Sequence, residues 1–359
     1  MGTFVKSTPG AARPRAGGCA GSVIDYLSSM SEPTLNELLH AASRTFALGI
    51  DLLPEPLRSE IEVAYLVLRV SDYLEDNETM SAERKVPLLR AWSGALRSGT
   101  APGDLLPTLA AVSDDTPDAL VARNTERVLT AVMALRPAAR EIIVRHTADS
   151  TDGMARWVER GPEIPDEDAL DDYMHEVAGR VGWLLTDLFA LEIPSVARHH
   201  EALSRLGREF GLALQTVNVI RGLHGDWERG WVFVPETFVP RGSPDPVALL
   251  DGSVSDPVHE RAILDRLVDK AERHLEAARH YLAGLPRRRH GIRLFCLLPY
   301  LFAVRTLAIS RSNPRVFREE TKIGRSDVRA IVRDARLLGW SNAWIRWYGE
   351  RLRATAAAG

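Results

Sequence analysis

The chain has little of what would force a fold by covalent or metal chemistry. Among its 359 residues there are two cysteines, Cys19 and Cys296. They give neither a disulfide framework nor the paired spacing of a zinc site, and they suit a reducing, cytoplasmic setting. Charge of one sign is also lacking. Lys and Arg number 45 against 48 Asp and Glu, for a formal net charge of -3. No global field therefore favours nucleic acid or anionic lipid, and any anion site must be local. No apolar run reaches the eighteen or so residues of a membrane span, and the longest, Leu294 to Val304, is interrupted by Pro299 and reads as a buried helix segment. No Gly-rich dinucleotide fingerprint follows a strand-like segment, so nothing in the residues calls for NADPH.

Strand-like alternation is nearly absent too, and what remains is helical periodicity. Leu35, Leu38, Leu39 and Ala42 recur at helical spacing, as do Ile61, Ala64, Tyr65 and Leu68. Proline and glycine punctuate the pattern at 53–56, 98–107, 161–165, 230–246 and 285–286, which predicts eight to ten helical segments. Residues 1–30, rich in Gly, Ala, Pro and Ser, read as a disordered N-terminal tail. Residues 31–352 read as one all-α domain and 353–359 as a flexible C-terminus.

One helix ends on carboxylates. Val70-Ser71-Asp72-Tyr73-Leu74-Glu75-Asp76 closes the run that begins at Ile61, and positions 72, 75 and 76 share a helical face. Carboxylates that close repel one another unless a cation lies between them. Mg²⁺, which takes one or two carboxylates and completes its octahedron with phosphate and water, suits the pattern. A solvated acidic helix end is the simpler alternative. Upstream, Ser43-Arg44-Thr45-Phe46-Ala47 and the pair Tyr65, Arg69 bring hydroxyls and guanidinium groups that fit a diphosphate, although Arg69 has an ion pair with Asp72 available along its own helix.

These segments resemble the squalene and phytoene synthases. The likeness continues, in the same order, through Asp172-Tyr173-Met174-His175-Glu176-Val177-Ala178-Gly179-Arg180-Val181-Gly182, then Gly211 to Arg221, Pro299 to Leu307 and Val316 to Arg325. The resemblance implies an all-α isoprenoid-synthase bundle in which two acidic helices line a deep apolar cavity and hold two or three Mg²⁺ ions bridged by diphosphate. It implies Asp72, Glu75, Asp76 and Asp226 as metal ligands, with Asp72, Asp76 and Tyr173 catalytic. Ser43, Arg44, Tyr65, Arg69, Gln215, Asn218, Arg221, Lys322 and Arg325 would bind substrate, an allylic prenyl diphosphate.

The second acidic motif of that family departs here. Where Asp-x-x-x-Asp is expected after Arg221, the chain reads Gly222-Leu223-His224-Gly225-Asp226, so one Asp survives. Trp231 stands where a cation is usual before the Phe-x-Pro stretch. Condensing two prenyl diphosphates needs partners for both, whereas transfer to a flat aromatic acceptor needs one such centre and a stacking surface. The expectation is therefore prenyl transfer, from a donor such as dimethylallyl diphosphate, to an aromatic acceptor, a carbazole of secondary metabolism being one example. Head-to-head condensation of two prenyl diphosphates of the squalene, presqualene or phytoene type is the alternative. No NADPH, nucleic acid or membrane span is expected, the C-terminus showing no apolar anchor, and oligomeric state is open.

Three weaker features complete the reading. His146 to Met154 reads as a helix or as polar residues capping a turn. Arg287-Arg288-Arg289 reads as a solvated loop, with a membrane surface as the alternative contact. Trp340, Trp344 and Trp347 recur at i, i+4, i+7 and read as a helix packing face.

Overall fold

The computed structural model describes residues 32–311 and 313–354, and the expected tail at 1–30 and most of the C-terminal segment lie outside them. Among the described residues every regular element is helical. The α-helices are α1 (Leu35–Ala42), α2 (Arg44–Ile50), α3 (Leu57–Asp76), α4 (Ala82–Ser98), α5 (Leu105–Ala110), α6 (Pro117–Arg123), α7 (Thr125–Ala134), α8 (Pro137–Arg160) and α9 (Glu167–Met174). They continue with α10 (Arg180–Glu192), α11 (Pro194–Arg198), α12 (His200–Glu228), α13 (Pro246–Leu250), α14 (Pro257–Gly284), α15 (His290–Ser310), α16 (Arg325–Leu338) and α17 (Asn342–Ala354). This exceeds the eight to ten segments expected. The excess is in one- and two-turn helices such as α5, α11 and α13, too short to carry an apolar period.

Local chemistry sets several boundaries. Thr34 caps α1 in a reciprocal box with Glu37. Ser43 caps α2 by accepting from the Phe46 N–H. Gly99, at φ 74°, ends α4 in the left-handed region that glycine enters without strain.

Helices α3, α8, α10, α12 and α15 form the centre, with α12 packed against α10 and α14, and α8 against α3 and α4. Their apolar faces merge into one continuous buried cluster. Helices α10 and α12 come unusually close. A Cβ on Gly182 would lie 1.8 Å from the Gly207 carbonyl oxygen, and one on Gly211 would lie 2.2 Å from that of Ala178. Only glycine permits this approach, which brings α12 beside the stretch carrying Tyr173. Between α9 and α10 the chain makes a turn of π-helix, His175–Gly179, re-aiming the side chains on either side.

Two expectations are corrected here. One helix, α15, is long and apolar enough to cross a membrane, but 83% of its most apolar stretch is buried against the rest of the chain, as in a core helix. The tryptophan triplet is not a packing face. Trp344 stacks on Tyr348 at 4.6 Å, whereas Trp340, which precedes α17, and Trp347 are each 51% exposed. Residues 146–154 lie within α8 and cap no turn, with Asp149 and Asp152 paired to Arg97.

Candidate active site

The last turn of α3 is an unfavourable place for acid. A helix C-terminus carries partial negative charge, and α3 has no basic residue in its last turn. Yet Asp72 and Glu75 are each about 5% exposed. Burial raises the carboxyl pKa of Asp72, against the pull of Arg69. It raises Glu75 to about 8, with the neighbouring Asp76 and Asp72 pushing the same way. Glu75 Oε1 has no hydrogen-bond partner in the protein. The Lys85 ammonium donates instead to the Glu75 carbonyl, at 2.7 Å, and so satisfies the helix end.

These carboxylates line a cavity of about 810 Å³, a volume that includes its open mouth, together with Tyr173, Gln215, Asn218, Arg221, Gly222, Gly225, Asp226, Arg229, Trp231, Phe233 and Glu320. The α12 contribution follows helical spacing, since Asn218, Gly222 and Asp226 fall on one face. The Asp226 carboxylate is bound by Arg229 one turn later, as Asp72 is bound by Arg69 on α3, whereas Glu75 Oε1 has no such partner. Arg221 pairs with Glu320 at 3.2 Å, and Lys322 holds the other oxygen of Glu320 at 2.7 Å.

Tyr173 forms the aromatic wall. Its ring stacks on Phe233 at 4.7 Å and on Trp231 at 5.6 Å and meets the edge of Trp157 at 5.6 Å. Burial, and then the carboxylates of Glu75, Asp76 and Asp226, hold its phenol well above the ordinary range, so it stays protonated.

Gln215 and Asn218 also line a second, apolar chamber of about 600 Å³ walled by Phe46, Val181, Leu185, Phe210, Leu214, Phe295, Cys296 and Pro299. A third recess of about 300 Å³ shares Phe46, Val181, Leu185 and Phe295 with it and reaches Ile61, Tyr65 and Leu68. The polar mouth thus adjoins apolar space sized for a hydrocarbon chain.

Of the substrate-binding residues expected from sequence, Gln215, Asn218 and Arg221 line the mouth and Tyr65 the deep recess. Ser43 bonds to the Tyr65 hydroxyl, and the Arg44 side chain lies outside the described residues. Arg69 is turned away from the mouth. It is buried, donating to Asp72 at 2.9 Å and to Asp118, so the ion pair along its own helix is the one formed. Lys322 pairs with Glu320, which lines the cavity. Arg325 is exposed at the first position of α16 and does not line the cavity. Sequence reasoning did not single out Asp118, Glu320, Lys85 or Phe233. Phe233 was signalled by the Phe-x-Pro stretch, while Asp118 and Glu320 had no local cue.

Among the described residues no three His, Cys, Asp or Glu side chains converge tightly enough to hold an ion by themselves. The donors fit Mg²⁺ that draws only part of its oxygens from protein. Asp72, Glu75 and Asp76 form a buried oxygen-only set with an unpartnered Glu75 oxygen, and diphosphate and water would complete the sphere. His224 is no part of it, its Nδ1 lying 3.1 Å from the Leu250 carbonyl, outside the cavity lining.

Comparison with known proteins bears on the family and the fold. The family model described as squalene/phytoene synthase matches residues 39–327. The chain is 30% identical over 304 residues to Botryococcus squalene synthase from Botryococcus braunii, the match covering 81% of this chain and 60% of that one. It is 29% identical over 333 residues to squalene synthase from Homo sapiens, covering 91% and 75%. Among solved structures, TcSQS with the ligand E5700 superposes with a TM-score of 0.75 at 26% identity, over 89% of this chain and 90% of that one.

Proposed function

The chain belongs to the squalene/phytoene synthase family, and from that premise we propose that it is a prenyltransferase that ionises an allylic prenyl diphosphate at the acidic mouth and joins the prenyl cation to a second prenyl diphosphate, head to head. The observation that carries the reading is that the two spaces adjoin, with Gln215 and Asn218 in the wall of both. A carboxylate-lined mouth and an apolar chamber meet at Gln215 and Asn218, as an amphiphile with a diphosphate head and a hydrocarbon tail requires. The tail would lie along Phe46, Leu214 and Phe295, where its burial contributes about 25 cal/mol per Å².

Asp72, Glu75 and Asp76 would hold Mg²⁺, with Asp226 facing them from α12, and the ion would supply positive charge to the diphosphate as it leaves. Arg221 would donate to diphosphate oxygens by exchanging part of its pairing with Glu320. Tyr173, Trp231 and Phe233 present π-faces beside the mouth. They would exclude water and attract a desolvated cation by about 2 kcal/mol each. Tyr173 keeps its proton and offers no competing phenolate nucleophile.

The acceptor is where the comparisons shift the reading. The relatives reported above are squalene synthases, which favours a second prenyl diphosphate over the aromatic acceptor expected from the second motif. That aromatic reading, with a carbazole as one example, retains specific support. Gly222 and Gly225 leave space where carboxylates are expected, and Trp231 and Phe233 stack with 8° between their planes at 5.4 Å, a flat surface against which an aromatic ring could lie.

The test is a product profile. Purified protein with Mg²⁺ is given farnesyl diphosphate alone, or dimethylallyl diphosphate with aromatic compounds, and products are identified by mass. A C30 hydrocarbon or a cyclopropyl diphosphate from the first mixture supports head-to-head condensation. A prenylated aromatic from the second alone replaces it, and absence of diphosphate release from every donor sinks both.

A further inference from the structure

Large apolar side chains left in water concentrate in one place. Leu337 is 67% exposed and Leu338 42% at the end of α16, Trp340 51% in the turn that follows, and Trp347 51% on α17. Exposed apolar surface of this kind marks a contact face when it is contiguous and rimmed by charge.

The rim is arginine. The loop between α14 and α15 carries the exposed Arg287, Arg288 and Arg289, and it is tied to the same turn. His290 donates from Nε2 to the Arg336 carbonyl at 2.9 Å. Arg293, fully buried, donates to the Gly339 carbonyl at 3.3 Å and to Asn342 Oδ1 at 2.7 Å. On the outer face of α17, Arg346 and Arg351 flank Trp347, with the Arg351 guanidinium 5.5 Å over the Trp347 ring. Glu350 is the only carboxylate in the stretches 285–293 and 336–354, and Asp334, just before them on α16, is taken up by Arg333 and by the Tyr348 hydroxyl. A chain with a formal net charge of -3 therefore has a cationic face here, and that face carries half-exposed tryptophan and leucine.

We propose that this face seats on an anionic lipid surface, with Leu337, Leu338, Trp340 and Trp347 entering the interface and the surrounding arginines binding lipid phosphates. Interleaved tryptophan and arginine suit that boundary, since indole lies at headgroup depth while guanidinium groups meet the negative surface potential. Charge complementarity decides against a second copy of the chain, because an isologous contact would press the arginine rim against itself. The contact is peripheral. Helix α15 beneath the patch stays in the core, turning Leu297 toward Gly339 and lining the apolar chamber with Phe295, Cys296 and Pro299. This inference does not depend on which acceptor the enzyme uses.

The experiment is co-sedimentation of the full chain with phosphatidylcholine vesicles, with and without phosphatidylglycerol, in low and high salt. Two triple variants accompany it, Arg287→Glu/Arg288→Glu/Arg289→Glu and Leu337→Ser/Trp340→Ser/Trp347→Ser, with thermal melts to establish that both fold. Binding to phosphatidylglycerol vesicles that weakens with salt is expected. It should fall about a hundredfold in the arginine variant, at roughly fivefold or more per charge. The apolar variant should lose at least about tenfold, in proportion to the buried area removed. Indifference to phosphatidylglycerol, unchanged binding by either variant, or a dimer in sedimentation velocity that the apolar variant dissolves overturns the proposal.

Discussion

Gly222→Asp restores a carboxylate to the α12 side of the cavity, and its cost can be worked from the geometry. A Cβ at position 222 would lie 3.6 Å from Asp226 Oδ2, in ordinary contact, so the side chain fits without displacing backbone. The new charge would stand roughly 4 Å from that of Asp226, where like charges repel by about 4 kcal/mol at an effective dielectric near 20. Arg229, already bound to Asp226, offsets much of this. Replacing a helix-interior glycine returns a few tenths of a kcal/mol. The net is a loss of about 1 kcal/mol in the absence of divalent cation, a fall in Tm of about 1–3 °C. With Mg²⁺ the sign reverses, because another oxygen ligand faces Asp72 and Asp76. The measurement is thermal melting in EDTA and in millimolar Mg²⁺, with Gly222→Asn as the uncharged comparison. The aspartate variant should melt lowest in EDTA and gain most from Mg²⁺. Equal Mg²⁺ shifts in wild type, Asp and Asn variants would refute a cation shared between α3 and α12.

Three further outcomes are expected. Asp76→Asn should lower Mg²⁺-dependent diphosphate release from an allylic donor by at least about a hundredfold, the usual scale for removing charge stabilisation at a leaving group, while far-ultraviolet circular dichroism stays unchanged. Lys270→Met should destabilise the fold by about 2–3 kcal/mol in urea. The fully buried ammonium holds Asp171 and Glu167 on α9, and the usual cost of breaking a buried pair is reduced because those partners are 25% and 38% exposed. An unchanged urea midpoint would sink that account. His175, driven down to about 4 by burial and by Arg180 and Arg208, is neutral in the fold at pH 7. The unfolded chain, at about 6.5, binds the extra proton between those values, so stability falls as pH drops through that window, by about 1–2 kcal/mol from pH 7 to pH 5. Comparing chemical denaturation of His175→Phe with wild type at the two pH values checks this, and an equal pH slope in both would refute it.

Legibility in the sequence followed the range of the interactions. Helix α3 could be read because its apolar period and its acidic end lie within twenty residues. The α12 face could be read because Asn218, Gly222 and Asp226 are one turn apart. The role of Arg69 could not, because its choice between diphosphate and protein depends on Asp118, which only the packing of α6 on α3 brings near. Periodicity also misled at the tryptophans. The spacing of Trp340, Trp344 and Trp347 describes one helix, but the chain leaves helix at Gly339 and re-enters at Asn342, so Trp340 falls outside it, and on α17 Trp344 packs against the core while Trp347 stays exposed. Nor does any local pattern announce the π-helical turn after Tyr173, which lies where α10 and α12 cross closely.

The two acidic helices differ in more than their number of carboxylates. On α3, Glu75 is buried at the negative end of a helix with an oxygen that no protein group satisfies, so that wall gains by acquiring a cation. On α12, Asp226 carries a guanidinium in Arg229, as Asp72 does in Arg69, but no second carboxylate of that helix lines the cavity beside it. A first diphosphate would be drawn with its metal to α3. A second would have to take Arg229 away from Asp226, leaving that carboxylate free to meet metal only when the second diphosphate arrives. Sequential binding of this kind reconciles a head-to-head synthase with a thinned second motif, and it makes Arg229 the residue that separates the two acceptors. Arg229→Gln should suppress condensation of farnesyl diphosphate while sparing transfer to an aromatic ring, whose binding needs no second cationic partner, and loss of both in equal measure would show that Arg229 serves the first diphosphate instead.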